Sequence, residues 1–182
     1  MLHSRDIQPS LILPGRFAVT LNAVLSLERA QGAKPVVLLL RTVLEEAKSF
    51  DQAVSILSNA ALPCDCLLLV TGPRSGEMVV IERTPSRHAI RYAKGGFICV
   101  TNDYQVLHAD PGGATSELLA TSCHRFQRVE ALVRHQRPDN PEACFRYLSD
   151  SAVKMQITVQ QMVFRAATGE YWIRLPRPDG PS

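Results

Sequence analysis

Alternation of apolar and polar positions marks the first strand-like stretch of the chain, GRFAVTLNAV, over residues 15–24. Successive side chains of a strand point to opposite sides, so Phe17, Val19 and Leu21 share one face of this predicted strand. The other face ends in Asn22, an amide at a position where strands usually carry an apolar or charged residue. From the pattern alone two roles stay open for Asn22: a turn former that ends the strand, or a hydrogen-bond donor to a ligand.

Two helices are predicted soon after this strand. The stretch VVLLLRTVLEEAKSF repeats apolar residues at positions i, i+3, i+4 and i+7 with charged residues on the opposite side, which is typical of an amphipathic helix. The next stretch, SFDQAVSILSNAAL, begins with Ser49 and carries Gln52 three residues later, the spacing of a capping box. A second helix is therefore predicted to begin after this serine.

Beyond Pro63 the apolar runs become short and rich in β-branched residues. DCLLLVTG, EMVVIERT, HAIRYA and FICVTN are separated by GPRSG, TPS and KGG, which predicts four antiparallel strands joined by turns. Two more helices are predicted in SCHRFQRVEALVRHQ and in DNPEACFRYLSD, the second with Asn140 as its N-cap. The last two strands flank ATGE as a hairpin. Helices layered on antiparallel sheet give an α+β fold class.

Length and composition are those of a single globular domain. The 182 residues are 46% hydrophobic and 20% charged, far from the values of disordered chains. We expect one domain over residues 1–176 and a frayed tail over 177–182. The net charge of +3 has no basic cluster, so no nucleic-acid surface is expected. No apolar run approaches the roughly 20 residues of a membrane span and no secretory leader is recognisable, so we expect a cytoplasmic location.

The remaining polar and cysteine residues give no sign of a cofactor. The odd number of cysteines and their spacing favour reduced thiols over a disulfide framework or a metal site. No motif for a metal, nucleotide or flavin occurs, so no cofactor is expected. Glu82 and Asp65 are interpreted as polar residues of hairpins, and His124 as a surface residue. The five cysteines are Cys64, Cys66, Cys99, Cys123 and Cys144.

Six segments, taken in order, resemble the β-subunit of the acid ceramidase and N-acylethanolamine acid amidase family, and more distantly the choloylglycine hydrolases and penicillin V acylases. The segments are GRFAVTLNAV, LLLRTVLEEAKSFDQAVSIL, LLLVTGPRSGEMVVIERT, VTNDY, SCHRFQRVEALV and TVQQMVFRAATGEYWIRL, within residues 12–175. The resemblance implies an Ntn-hydrolase αββα sandwich, with two antiparallel sheets packed face to face between helical layers. It also implies hydrolysis of linear amide bonds.

The resemblance assigns roles to three residues. By position, Asn22 matches an asparagine on the oxyanion side of the family's site, Asn102 its central asparagine, and Arg125 the arginine beside the nucleophile. Members of the family attack the amide carbonyl with the thiol of an N-terminal cysteine, while the α-amine of that cysteine acts as base. Amide and backbone N–H groups hold the developing oxyanion. The implied partner is a small-molecule substrate, an N-acyl amide with an apolar acyl chain.

The cysteine nucleophile of this family has no counterpart in the sequence. None of the fourteen residues before Gly15 is a cysteine, and the internal cysteines have no free α-amine. We therefore expect an N-terminally truncated fold and no turnover by this chain. Three explanations stay open: a truncated amidase, a non-catalytic descendant that binds acyl amides or a partner, and a nucleophile strand supplied by a separate chain. Missing strands would leave a sheet edge unpaired, so self-association is expected.

Overall fold

The computed structural model describes residues 10–24, 28–107 and 120–175. The tail predicted over 177–182 lies outside these ranges. No helix within them is long and apolar enough to cross a bilayer. The elements follow in the order β1 (Ser10–Leu13), β2 (Phe17–Ala23), α1 (Val36–Glu46), α2 (Phe50–Asn59), β3 (Cys66–Thr71), β4 (Met78–Arg83), β5 (His88–Tyr92), α3 (Ser122–His135), α4 (Pro141–Leu148), β6 (Gln161–Arg165) and β7 (Glu170–Arg174).

The first five strands form one antiparallel sheet in the order β1-β2-β3-β4-β5, and β6 pairs with β7 in a separate two-stranded sheet. In the larger sheet Asn22 lies opposite Leu67, Leu67 opposite Glu82, and Glu82 opposite Ala89. Directly opposite residues carry their side chains on the same side of a sheet. Asn22 and Glu82 therefore project from one face, which we call the site face.

Helices α1 and α2 pack against the other face of the five-stranded sheet. The alternating residues of three strands point into this layer because strand side chains have a period of two. Their burial, together with the apolar stripes of both helices, supplies the main hydrophobic driving force for folding. Fully buried members of this core are Phe17, Val19, Leu68, Val70 and Ile81 of the sheet and Leu40, Val43 and Leu57 of the helices.

Both predicted helix caps are confirmed. Ser49 Oγ accepts a hydrogen bond from the Gln52 backbone N–H at 3.2 Å, and Gln52 Oε1 accepts one from the Lys48 N–H at 2.8 Å. Asn140 Oδ1 accepts a hydrogen bond from the Ala143 N–H at 2.8 Å at the start of α4. These contacts satisfy N–H groups that have no partner inside a helix. Local chemistry therefore determines where α2 and α4 begin.

The prediction of a strand at FICVTN is wrong. Phe97 forms only an isolated bridge with Lys94, and residues 98–107 contain no strand. The backbone groups of this segment bond to side chains instead of to a neighbouring strand. Thr101 O accepts a hydrogen bond from Asn22 Nδ2 at 3.0 Å, for example, and Cys99 O accepts one from Arg91 Nη2 at 3.1 Å. We call residues 97–107 the bridging segment.

Strand β1 was not predicted. It has only four residues and pairs with β2, with Ser10 opposite Thr20 and Leu13 opposite Phe17. Gly15 in the connecting turn has a φ of +68°, in the left-handed region that glycine adopts without steric penalty. Its backbone N–H donates to Ala166 O at 3.0 Å, which joins this turn to the β6–β7 turn.

The Ser49 cap gives a direct test of how α2 begins. Ser49→Ala removes the acceptor of the Gln52 N–H, so the free energy of unfolding in urea should fall by about 1 kcal/mol. Ser55→Ala is the matched control, since Ser55 is exposed in the middle of the same helix. That control should be neutral or slightly stabilising because alanine has the higher helix propensity. An equal loss in both variants would contradict a capping role.

Candidate functional site

Asn22 lies at the end of β2 on the site face and is half-buried. Its Nδ2 donates a hydrogen bond to the backbone carbonyl of Thr101 at 3.0 Å. The alternation of β2 explains this orientation, because Phe17 and Val19 take the core positions and leave the even-numbered side chains on the opposite face. Asn22 is therefore a side-chain link from the sheet to the bridging segment.

Asn102 makes the reciprocal link. It is 1% exposed, and its Nδ2 donates to the backbone carbonyl of Ala23 at 2.8 Å. The side chain of each asparagine thus bonds to the backbone beside the other, Asn22 to Thr101 and Asn102 to Ala23. The end of β2 and the middle of the bridging segment are held together by this pair of hydrogen bonds.

Arg125 joins the same network from the first turn of α3. Its Nη2 donates to Asn102 Oδ1 at 3.0 Å, and its Nε donates to Thr121 Oγ1 at 3.0 Å. The structure therefore brings together all three residues that the resemblance singled out, Asn22, Asn102 and Arg125. They come from a strand, an irregular segment and a helix that are distant in sequence.

The network decides which atoms of the amides can serve a ligand. A guanidinium carries only donors, so Asn102 must turn its Oδ1 toward Arg125 and its Nδ2 away from it. An amide NH₂ has two N–H groups. Among the described residues Asn22 Nδ2 bonds only to Thr101, and Asn102 Nδ2 bonds only to Ala23. Each amide thus has two N–H groups, and amide N–H groups are donors of the type that stabilises an oxyanion.

A cavity of about 380 Å³ lies beside Arg125. This volume falls within the range of small-molecule sites, roughly 300–1,000 Å³. Arg125 and His124 reach the cavity from α3, and Lys154 reaches it from the chain after α4. The described residues that line it are Ala120, Thr121, His124, Arg125, Ser151, Ala152, Lys154, Met155 and Gln156.

Comparison with protein families assigns this chain to a known family. A family model described as acyl-coenzyme A:6-aminopenicillanic acid acyl-transferase matches residues 17–170. The chain belongs to this acyl-transferase family. The match includes β2, the bridging segment and α3, which carry Asn22, Asn102 and Arg125.

A solved structure with a similar fold is that of the Caenorhabditis elegans N-acylethanolamine-hydrolyzing acid amidase ortholog. The two chains are 19% identical, the TM-score is 0.66, and the match covers 96% of this chain and 80% of that chain. This likeness confirms the predicted α+β fold of the Ntn-hydrolase type and the resemblance to the amidase family. The more distant likeness to choloylglycine hydrolases stays a prediction. Among curated proteins no sequence gives a significant match.

Ser122 is a member of the hydrogen-bond network around Asn102 that the sequence did not predict. It is fully buried at the start of α3, where its Oγ accepts from the Asn102 N–H at 2.8 Å and donates to Thr101 Oγ1 at 2.9 Å. A single serine beside Cys123 carries no pattern that distinguishes it from a surface residue. Its role follows only from the position of the bridging segment above the helix start.

Glu82 lies in β4, a strand of two hairpins as interpreted from the sequence, but nothing in the sequence indicated its burial. Glu82 is 0% exposed, and its Oε1 accepts from Arg91 Nε at 2.8 Å. The carboxylate also accepts the backbone N–H groups of Gln105, Val106 and Leu107 at 2.9, 2.9 and 2.8 Å. An isolated buried carboxylate would be strongly unfavourable, and these four donors offset that cost. Glu82 therefore ties β4 to the bridging segment.

Asp65, which directly precedes β3, is also buried and is only 4% exposed. Its Oδ2 accepts a hydrogen bond from the Tyr104 hydroxyl at 2.8 Å. Burial, together with the hydrogen bond to Asp65, raises the pKa of Tyr104 well above its usual value, so the phenol stays protonated. On the opposite face of the sheet, the Arg83 side chain donates to the backbone carbonyls of Leu57 and Ala60, near the end of α2.

The cysteines are all free, and burial makes most of them poor nucleophiles. Burial raises the pKa of Cys66 to about 12 and that of Cys99 to about 11. Burial also raises the pKa of Cys64 and of Cys144. Since the thiolate is the reactive form, these four side chains remain unreactive thiols at neutral pH. Cys123 is exposed, as is His124 beside it.

No group of three His, Cys, Asp or Glu side chains suited to a metal ion occurs in ranges 10–24, 28–107 and 120–175. The hydrogen-bond network described above consists of amide, guanidinium, hydroxyl and backbone groups. Amide and guanidinium N–H groups are of the type that can bind a carbonyl oxygen and stabilise negative charge on it.

Ser122 tests whether the site network is held by its hydroxyl. Ser122→Ala leaves the buried N–H of Asn102 without its acceptor, so the free energy of unfolding should fall by about 1–3 kcal/mol. Ser58→Ala is a matched control, because Ser58 is also buried and its Oγ has no hydrogen-bond partner in the described residues. The control should be neutral or stabilising in urea unfolding. Similar losses in the two variants would show that Ser122 acts only through its volume.

Proposed function

We propose that this chain forms the oxyanion-stabilising part of a site for N-acyl amides, in a linear amide hydrolase of the Ntn type. The observation that carries the proposal is the hydrogen bond from Arg125 to Asn102 Oδ1, 3.0 Å long, which directs Asn102 Nδ2 toward Ala23 and the end of β2. Asn22 adds a second amide donor at the same place. Membership of the acyl-transferase family supports amide or ester acyl chemistry at this site.

In this proposal the two asparagines stabilise the carbonyl oxygen as it becomes negatively charged. Attack on the amide carbon turns the carbonyl into a tetrahedral oxyanion, and donors that are already in position stabilise that state without reorganising. Loss of one such donor typically lowers the rate by about 10²–10³-fold. Arg125 positions Asn102 and adds a positive charge near the cavity. Acyl transfer would use the same oxyanion, with an amine in place of water as acceptor.

We further propose that the 182-residue chain binds N-acyl amides without turning them over. The five cysteines are internal, so none offers an α-amine as its own base. Cys99, the nearest to Asn102 in sequence, has a pKa raised to about 11. The proposal places the attacking thiol outside these 182 residues, on an upstream segment of a longer chain or on a separate chain. The free thiols also agree with the expected cytoplasmic location.

A non-catalytic binding protein is the second candidate function. The cavity of about 380 Å³ beside Arg125 favours it, because a cavity of ligand size can hold an amide whether or not a nucleophile is present. In this alternative the guanidinium of Arg125, which lines the cavity, would recognise the carbonyl oxygen of the ligand. The alternative differs from the first proposal in the reaction that follows binding.

A fluorogenic N-acyl amide tests both functions with the chain as it stands. We expect saturable binding in fluorescence polarisation and no release of the fluorophore. Arg125→Met should weaken binding about tenfold or more, since hydrogen bonds of charged groups contribute about 1.5–3 kcal/mol. Arg41→Met is the control, because Arg41 is an exposed arginine on α1, beyond the other face of the sheet, and pairs with Glu45.

The outcomes separate the candidates. Hydrolysis that persists after all five cysteines are replaced by serine would contradict a thiol mechanism. Turnover that appears when the chain is expressed with the upstream coding sequence would support the amidase. Binding that never leads to turnover, with or without that sequence, would favour the binding protein. The absence of both binding and turnover would overturn the proposal.

We also propose that a second copy of this chain packs on the β6–β7 sheet. Two apolar side chains of β7, together with Leu175 just after the strand, lie on one face and are exposed. Tyr171 is 61% exposed, Ile173 49% and Leu175 68%. In the described residues this sheet has only two strands. Exposed apolar faces and unpaired strand edges favour association between copies.

Light scattering tests this proposal. It should show a dimer or larger species, and Ile173→Lys should shift the equilibrium toward the monomer. A wild-type monomer at high concentration would contradict this expectation.

A further inference from the structure

We propose that Glu82 and Arg91 are positioning residues that fix Asn102 for its donor role. This inference rests on the proposed function, because it assigns a task to residues that contact Asn102 only through the backbone of the bridging segment. The segment has no strand pairing over residues 98–107, so other groups must hold it in place. Glu82 and Arg91 hold it on either side of Asn102.

The two residues contact the bridging segment before and after Asn102. Arg91 Nη2 donates to the Cys99 carbonyl at 3.1 Å, three residues before Asn102. Glu82 accepts the N–H groups of residues 105, 106 and 107 at 2.8–2.9 Å, three to five residues after it. The direct pair between Glu82 and Arg91, 2.8 Å long, connects the two attachment points.

All four acceptor positions of the Glu82 carboxylate are used. Oε1 accepts from Arg91 Nε and the Gln105 N–H, and Oε2 accepts from the N–H groups of Val106 and Leu107. An ionised carboxylate offers about four lone-pair positions, so no other side chain of this size could satisfy the same set. Three consecutive N–H groups in one segment thus depend on a single charged residue.

Stability alone does not require a charge at this position. Replacing a buried ion pair by well-packed apolar residues is often neutral or stabilising. An apolar residue at position 82 would leave the three N–H groups of residues 105–107 without an acceptor, and the segment would have to move. Glu82 shares the site face with Asn22, which holds Thr101 directly. Asn102 therefore lies between anchors that belong to one rigid sheet.

The test compares two buried neighbours on the same strand. Glu82→Gln keeps the shape of the side chain, but one acceptor oxygen becomes an NH₂ donor that faces other donors. Arg83→Lys is the control, since Arg83 is 3% exposed and its side chain contacts the carbonyls of Leu57 and Ala60. Its contact with the bridging segment, a hydrogen bond from the Tyr104 hydroxyl, is made by the backbone carbonyl, which the substitution keeps. Both variants should lower the midpoint of thermal unfolding. If Glu82 has a purely structural role, the two variants should behave alike in hydrogen exchange and in affinity for the amide.

Two readouts report on Asn102 itself. Hydrogen exchange of the Asn102 backbone N–H, which bonds to Ser122 Oγ, should speed up about tenfold or more in Glu82→Gln and stay unchanged in Arg83→Lys. The dissociation constant for the fluorogenic N-acyl amide should rise in the first variant only. We expect at least about a tenfold rise, because a small displacement of a site group costs up to about 10²-fold. Arg91→Lys, which keeps the charge but has only one nitrogen for its two acceptors, should give a smaller change in the same direction.

The outcomes distinguish this inference from the proposed function. If the wild-type chain does not bind the amide, the proposed function fails, and hydrogen exchange alone decides whether Glu82 positions Asn102. If Glu82→Gln lowers the unfolding midpoint but leaves both exchange and affinity at wild-type values, the positioning role is overturned. If Glu82→Gln does not fold, Arg91→Lys decides, and wild-type exchange at Asn102 in that variant would overturn the inference.

Discussion

The backbone of the bridging segment imposes the constraint on which the site depends. A buried N–H or carbonyl must find a hydrogen-bond partner, and this segment has no neighbouring strand to provide one. Side chains of the sheet and of α3 fill that need, with Asn22 and Arg91 as donors and Glu82 and Ser122 as acceptors. Because the segment is not part of a ladder, Asn102 is free of the alternating geometry of a strand. Its side chain can turn back to the end of β2 and still meet Arg125.

The two faces of the five-stranded sheet have different roles: one forms the hydrophobic core, and the other carries polar side chains that bind the bridging segment. One face carries Phe17, Val19 and their neighbours into the core against α1 and α2. The other face carries the anchors of the bridging segment. A shift of one residue in the pairing of β2 would exchange these faces and place Asn22 in the core. Hydrophobic burial on one side thus fixes the register that puts the polar groups of the site on the other.

The sequence predicted those features that depend on neighbours in the chain. Ser49 and Asn140 cap their helices through contacts three residues away, so a short pattern was enough. The segment FICVTN has the β-branched composition of a strand, but its partners lie far along the chain. Asn22 and Thr101, for example, are 79 residues apart. The burial of Glu82 has the same origin, since it depends on residues 105–107 folding over the sheet. No local pattern could show either feature.

The three residues of the site network were found through the family resemblance and not through periodicity. Composition and spacing alone allowed Asn22 to be a turn former, and only its bond to Thr101 shows the side chain directed at the bridging segment. Neither the periodicity of the sequence nor the family resemblance predicted a role for Ser122. It had no role in the resemblance as read from the residues, and its buried hydroxyl matters only because the Asn102 N–H lies above it.

In the proposed function the described groups stabilise negative charge on the substrate, and the attacking group comes from elsewhere. A thiol with a pKa near 11, such as that of Cys99, is ionised to about one part in 10⁴ at pH 7, and the Arg91 guanidinium only partly opposes the effect of burial. Donors aimed at an oxyanion bind the transition state more strongly than the neutral amide. In the proposed function the affinity for an intact amide reports on Arg125, on the cavity and on the weaker hydrogen bond that a correctly positioned Asn102 gives the neutral carbonyl oxygen. The full contribution of the Asn22 and Asn102 amides is expected in the transition state, so a rate measured with a supplied thiol is the quantity that isolates it.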